Sequence, residues 1–456
     1  MASVLQRKDT DMTYGSIPRL LITFAIPLLI GNLFQQLYNT VDSIVVGNFV
    51  SKQALAAVGC STPIINMLIG VFMGFSSGAG VVISQYYGAK DGEKLHDAVQ
   101  TAITLTLILC AVLTAVGVTA APFLLRMMDT PADVFPEAVE YLRIFFWGMT
   151  GTLLYNMGAG VLRAVGDSTR PLYFLIFSTL LNTVLDVLFV RFFSWGIAGA
   201  AWATVISQCI SALLVMLLLS RAKTDYRVDY RRLGIRGRIL RKILAIGLPS
   251  ALQLGITAFS NVFVQSYINR FDSSAMAGWA AYLKIDSFAM LPMMSLSLSI
   301  TTFVGQNLGA GNRDRAISAP KLAMKMGLAV MVVILTPLMI FAPQLVRLFN
   351  GDPEVLRFGT WFIRVISPFY LTFSANQVYM GALRGAGNTR SPMFISLGSF
   401  VVFRQIYLFV SYRLGGGLLA VTLGYPAGWI LCSVLLYFYY HSRRNTLLYP
   451  PEGETI

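Results

Sequence analysis

Charge is what this 456-residue chain has least of: Asp, Glu, Lys and Arg make up 12% of it, about half the share of a soluble domain. With 56% hydrophobic residues and a mean hydropathy of +0.66, it reads as an integral membrane protein and not as a soluble globule. Cysteine is scarce too. Cys60, Cys110, Cys209 and Cys432 stand singly in apolar surroundings, with no metal-ligand spacing and no disulfide framework, so they read as small buried hydrophobes. The two histidines, His96 and His441, lie in polar segments. There is no His-Glu zinc signature, no acid pair for a Mg²⁺-diphosphate and no Ser/His/Asp set, which argues against an enzyme. No cleavable signal peptide is read: the first apolar segment is too long and no small-residue cleavage site follows it. Acids are fewer than bases, 21 against 35, which leaves a net charge of +14. The bases fall mainly in alternate loops, the pattern of membrane orientation, so nucleic acid is not the expected partner.

What is present begins with the stretch Ile17–Phe49. From Leu20 onward it holds no base and one acid, Asp42, over a length that spans a bilayer as a helix. Pro27 removes a backbone donor and predicts a kink or hinge. The polar run Asn32, Gln35, Gln36, Tyr38, Asn39 and Asp42 predicts a face turned away from lipid. Further spans are read at about Leu55–Gln85, Leu95–Leu125, Ala138–Val161, Leu172–Val190 and Ala198–Leu219. A basic segment follows, with nine Lys and Arg residues from Arg221 to Lys242, which the positive-inside rule places in the cytoplasm. It also suits anionic lipid headgroups.

The second half repeats the first. Ala-Ile-Pro27 returns as Gly-Leu-Pro249, and Gly88-Ala89 returns as Gly309-Ala310. Pro122-Phe-Leu-Leu-Arg126 returns as Pro343-Gln-Leu-Val-Arg347, and Gly160-Val-Leu-Arg163 as Gly381-Ala-Leu-Arg384. The spacing between partners is constant to within a single position, the mark of a duplication. About six spans per half make the halves parallel repeats, with the substrate path expected between them. The expected fold is an all-α membrane protein of about twelve transmembrane helices. Residues 1–221 form an N-terminal six-helix bundle, 222–241 a basic linker and 242–456 a C-terminal six-helix bundle. A multi-pass inner-membrane protein with both termini cytoplasmic follows from the loop charges.

These motifs resemble the multidrug and toxic compound extrusion (MATE) family. The resemblance rests on Gln35-Gln36-Leu37-Tyr38-Asn39-Thr40-Val41-Asp42, the paired Gly-Ala loops, the paired Arg163 and Arg384 loops, and Leu181-Asn182-Thr183-Val184-Leu185-Asp186. It implies the two-repeat architecture shared with oligosaccharidyl-lipid and polysaccharide flippases. It also implies an antiporter that expels organic, often cationic, compounds while Na⁺ or H⁺ runs inward.

Asp42 and Asp186 are the acids buried in the first half. Asn182 stands four residues before Asp186 and shares its helical face. With Thr204 they form an all-oxygen set suited to a hard cation and lacking the nitrogen or sulfur a transition metal prefers. By resemblance, Asp42, Asn182, Asp186 and Thr204 match the family's cation-binding positions. The same two acids, desolvated near one another, would also serve a proton. Candidate substrate contacts are Gln35, Tyr38, Asn39, Met67, Asn156, Gln265, Asp286, Met290 and Met293, with Met294 beside them, because flexible methionines suit varied apolar ligands. Pro27 and Pro249 are the candidate hinges. No resident cofactor is expected, and Na⁺ enters only as a coupling ion.

The halves differ in their charges. Tyr407 stands opposite Asp186, and Phe263 or Val264 opposite Asp42, so the second half carries no acid at either place. It carries Lys284, Asp286 and Arg404 instead, and an interhelical ion pair is the favoured reading for Lys284 and Asp286. The rival function is a flippase, or an exporter of a lipid-linked or polar metabolite; a pyrophosphate-binding flippase would line its path with several bases. Organic small molecules and membrane lipids are the expected partners, and a monomer the expected state.

Overall fold

The computed structural model describes residues 10–448, and within them not the side chains of Asn39, Asp42, Ser43, Ile44, Asn48, Lys52 or residues 444–448. The first repeat holds α1 (Ile17–Phe49), α2 (Lys52–Gly88), α3 (Gly92–Met127), α4 (Phe135–Ala164), α5 (Thr169–Asp186) and α6 (Gly196–Arg221). The last turns of the α5 span, Val187–Phe192, are π-helical. The second repeat opens with α7 (Gly237–Ile268), then α8 (Ser273–Ala289) and α9 (Leu291–Gly309), which are two pieces of one span. It continues with α10 (Arg313–Ile340), α11 (Ala342–Arg347), α12 (Pro353–Ile366), α13 (Tyr370–Gly385) and α14 (Arg390–Leu397). A π-helical stretch, Gly398–Phe403, leads into α15 (Arg404–Arg413), and α16 (Leu418–Thr422) and α17 (Gly424–Leu448) close the chain.

Among the described residues ten helices are long and apolar enough to cross a membrane. The other two of the twelve expected are α4 and the α12–α13 pair, which occupy matching places in the two repeats. Polar caps set where the helices begin. Ser51 accepts from the Ala54 amide at 2.9 Å, Asp91 from Lys94 at 3.1 Å and Asp272 from Ala275 at 2.7 Å. The Lys94 ammonium also bonds Asp91 and holds that carboxyl below the usual carboxylate range.

The repeat register of the sequence is the register of the fold. The offset that carries Arg163 to Arg384 also carries the span limits Lys52 and Gly88 to Ser273 and Gly309, and Thr169 and Phe192 to Arg390 and Arg413. Left-handed backbone at Lys90, Gly166 and Ser194 recurs by the same offset at Gly311, Gly387 and Gly415. Gly166 needs its freedom twice over. Its φ is +92°, and a Cβ there would stand 2.1 Å from the Thr10 carbonyl oxygen. The residue after each of the glycines Gly166 and Gly387 caps the next helix. Asp167 Oδ1 accepts from the Thr169 and Arg170 amides at 3.0 and 3.1 Å, and Asn388 Oδ1 accepts from Ser391 at 3.2 Å. Asp167 also pairs with the Arg170 guanidinium at 3.0 Å.

The chain forms two compact units. One runs from Pro27 to Ala251; the other holds Met12–Ile26 and the residues from Leu252 onward. The prolines Pro27 and Pro249 therefore stand at or beside the points where α1 and α7 pass from one unit to the other. In the second unit the segment before α1 is tied down at its backbone. Met12 donates to Gln306 Oε1 and accepts from Asn307 Nδ2, both at 3.0 Å, and Arg315 donates to the Gly15 carbonyl at 2.9 Å. In the first unit the start of α7 is held by Arg236, whose amide donates to Thr101 Oγ1 at 3.2 Å and whose guanidinium meets Asp97 at 3.2 Å.

α2 then lies against α7 at backbone contact. A Cβ on Gly78 would come within 2.5 Å of the Ile243 carbonyl oxygen and 2.7 Å of the Gly247 nitrogen. Small residues let helices approach this closely in a membrane, where dispersion and not hydrophobic exclusion holds them together. Gly78→Val is expected to destabilise the protein by about 1–3 kcal/mol, read as a lower melting temperature in detergent. Gly59→Val on the same helix, where a Cβ meets nothing within 4 Å, should leave the melting temperature unchanged.

Candidate functional site

The first unit gathers its polar side chains from three helices. On α5, Asn182 and Asp186 lie one turn apart and are both fully buried. The Asn182 amide satisfies both neighbours in one orientation: Nδ2 donates to Asp186 Oδ2 at 3.0 Å, and Oδ1 accepts from the Thr204 backbone amide at 3.3 Å. Thr204 on α6 in turn accepts, through Oγ1, a 2.9 Å hydrogen bond from the Tyr38 hydroxyl on α1. A carboxylate, an amide, an alcohol and a phenol thus converge within membrane-spanning helices.

A bare charge at the middle of a span costs at least about 2.5–3.5 kcal/mol, and these partners offset part of that. Directly after Asp186 the helix widens into the π-helical stretch Val187–Phe192. Such widened turns concentrate at functional sites because they re-aim side chains without ending the helix. Every ligand group of the set can present an oxygen, as a hard cation requires; the carboxylate alone suits a proton.

The backbone of Asp42 and Asn39 is part of α1, but their side chains lie outside the described residues. Gln35, on α1, and Met67, on α2, are exposed. Asn156 on α4 is half-buried and donates to the Thr152 carbonyl at 2.9 Å. Tyr38, expected among the substrate contacts, meets Asn182, Asp186 and Thr204 through its bond to Thr204, a partnership its position in the sequence did not reveal.

The second unit holds the remaining candidates. Gln265 on α7 donates to Asn269 Oδ1 at 2.7 Å. Met290, at the break between α8 and α9, and Met293, which packs toward Gly327 of α10, are buried, while Met294 is exposed. The interhelical ion pair expected for Asp286 is replaced by neutral partners. Among the described residues Asp286 pairs with no base; its Oδ1 accepts from the hydroxyls of Tyr282, at 3.1 Å, and Tyr370. Tyr282 stands one turn before Asp286, so this half of the arrangement is a helical spacing that sequence alone carries. Tyr370 comes from a distant helix and has no such signal. Arg404, on α15, is a buried charge. Its Nη2 donates to Ser260 Oγ at 2.8 Å and Asn261 Oδ1 at 2.9 Å, and its Cζ stands 4.8 Å from the Tyr425 ring centroid.

Duplicated helices long and apolar enough to cross a membrane, with a polar set buried inside one repeat, make a polytopic membrane protein, and its kinship places it among transporters. The MatE family model matches residues 27–188 and again 249–410, so the chain belongs to that family, and each match opens on one of the two prolines. The probable multidrug resistance protein YoeA of Bacillus subtilis is 30% identical over 445 residues, covering 96% of this chain and 95% of that protein. An FAD transporter of Shewanella oneidensis is 27% identical, with 85% and 86% covered. A crystal structure of a MATE protein in its straight conformation superposes with a TM-score of 0.90 at 25% identity, covering 96% of this chain and 99% of the other.

The Tyr38–Thr204 bond is testable by a double-mutant cycle. Tyr38→Phe and Thr204→Val should show a coupling of roughly 0.5–1.5 kcal/mol in unfolding measurements; additive effects would mean the two hydroxyls do not meet.

Proposed function

We propose that this protein is a cation-coupled multidrug exporter, in which inward flow of Na⁺ or H⁺ drives organic, cationic amphipathic compounds out of the cell by alternating access. The observation that carries this reading is the fully buried Asp186 with Asn182, Thr204 and Tyr38 around it. A carboxylate kept inside a membrane span, with an amide and two hydroxyls gathered about it, is a place for an exchangeable cation. Asp42 of α1 is assigned to the same set by its match to the family's cation-binding positions. The kinship with multidrug resistance proteins supports a varied organic substrate class, and Pro27 and Pro249 serve as the hinges on which residues 1–221 and 242–456 reorient.

The protein works as a monomer in the inner membrane with both termini in the cytoplasm, and the basic segment 222–241 faces anionic lipid headgroups there. A second reading, export of a polar metabolite, draws support from the similarity to an FAD transporter.

Proteoliposomes with an imposed Na⁺ or H⁺ gradient, each applied separately, test the proposal with tetraphenylphosphonium as the exported cation. Only the coupling gradient should drive export. Asp186→Asn and Asp42→Asn should each cut gradient-driven export at least ten-fold while the protein still inserts. Full export by both variants would overturn the assignment.

A further inference from the structure

The two repeats place different charges in one location. Carried forward by the offset that relates Arg163 to Arg384, Thr204 of the first unit becomes Tyr425. Tyr38 becomes Ser260 by the offset that relates Pro27 to Pro249. In the first unit Tyr38 and Thr204 touch each other beside Asp186. In the second unit Ser260 and Tyr425 both touch Arg404, the one by a hydrogen bond and the other by its ring face. Arg404 sits on the span equivalent to that of Asp186, and each of these charges borders a π-helical stretch. The same three helices of the repeat thus surround a carboxylate in one copy and a guanidinium in the other.

Arg404 is 3% exposed, and the surroundings of its guanidinium are incomplete in a particular way. Ser260, Asn261 and Tyr425 are all neutral, and among the described residues no carboxylate forms an ion pair with it. Its Nε is buried with no hydrogen-bond partner among the described residues. Beside it Gln405 turns its amide nitrogen inward to Ser260 Oγ at 3.0 Å. Bracing α7 against α15 does not need a charge, since a neutral amide or an apolar side chain of similar volume would hold the helices without desolvating a cation. A buried donor without a partner, on a cation with no ion pair among the described residues, is matched by an oxyanion acceptor.

We propose that the second unit's copy of the site binds an anionic group, a carboxylate or phosphate ester of an exported compound, with Arg404 as its counter-charge. This rests on the reading of the protein as an exporter and widens its substrates to organic anions and zwitterions. The guanidinium supplies its Nε–H to the oxyanion while Nη2 stays bonded to Ser260 and Asn261, and the Tyr425 face lies against its plane.

Equilibrium binding to purified protein, without any gradient, tests this separately from the coupling experiment. Two matched fluorescent pairs serve as probes: flavin mononucleotide against riboflavin, and coumarin-3-carboxylate against its ethyl ester. The wild type should bind the charged member of at least one pair ten-fold or more tighter than the neutral one. The pair that shows the preference tells phosphate from carboxylate. Arg404→Gln and Arg404→Met should abolish the preference, and Arg404→Lys should keep part of it. The apolar replacement is included because it is the easier one to fold in a membrane, so either folded variant decides the outcome. Equal affinities within both pairs in the wild type, or a preference that survives either neutral substitution in a folded variant, would overturn the proposal. So would displacement of the probes by phosphatidylglycerol nanodiscs but not by the soluble anions, which would assign the site to a lipid headgroup.

Discussion

Everything specific in this protein follows from the cost of holding a charge where water is absent. In hydrocarbon an ionised side chain has no solvent to fall back on, so the fold must supply its partners. Asp186 receives the Asn182 amide from one turn earlier on its own helix, and that amide is fixed in turn by the α6 backbone at Thr204. Tyr38 then braces Thr204 from α1. Each contact depends on α1, α5 and α6 keeping their relative height. Most of the remaining architecture, from turn glycines to helix caps, holds those heights.

Duplication explains how such heights are specified by a chain with so few polar residues. The same left-handed turns and cap positions recur at the repeat spacing, so each repeat solves the same packing problem with its own side chains. Where the repeats agree, the constraint is backbone geometry, as at Gly166 and Gly387. Where they disagree, the constraint has been released or replaced. Asp186 corresponds to Tyr407, and the charge on that span moves to Arg404 with the opposite sign. Sequence change at positions of fixed geometry is where two otherwise equivalent halves can acquire separate chemistry.

Much of this was legible in the sequence because membrane insertion leaves a strong compositional trace. The spans and the twofold repeat stand out from hydropathy and spacing. Asn182 and Asp186 follow from a four-residue interval, and Tyr282 beside Asp286 follows from the same interval. What was not legible depends on contacts between distant segments or on shifts in backbone hydrogen bonding. Nothing in Val187–Phe192 or Gly398–Phe403 marks a π-helix, since the widened turn is a change of hydrogen-bond partner and not of residue type. The Tyr370 hydroxyl on Asp286, in place of an ion pair with another helix, joins positions far apart in the chain. The span α12–α13 is interrupted by the 3-10 turn Ser367–Phe369, which carries Pro368, where its counterpart α4 runs unbroken.

The prolines illustrate how the local and global levels meet. A proline inside a helix removes one hydrogen bond and clashes with the preceding turn, at a cost of about 3 kcal/mol in an interior position. In a membrane that loss is tolerated where the freed groups face protein and not lipid. Pro27 opens the stretch of α1 that joins the first unit, and Pro249 stands two residues before α7 leaves it. On the far side of Pro27 the chain is tied to the second unit through Met12, Asn307 and Arg315. On the near side of Pro249, α7 meets α2 with no room for a side chain at Gly78. Both repeats thus place a proline, and with it a missing backbone hydrogen bond, at or beside the point where the helix passes from one unit to the other.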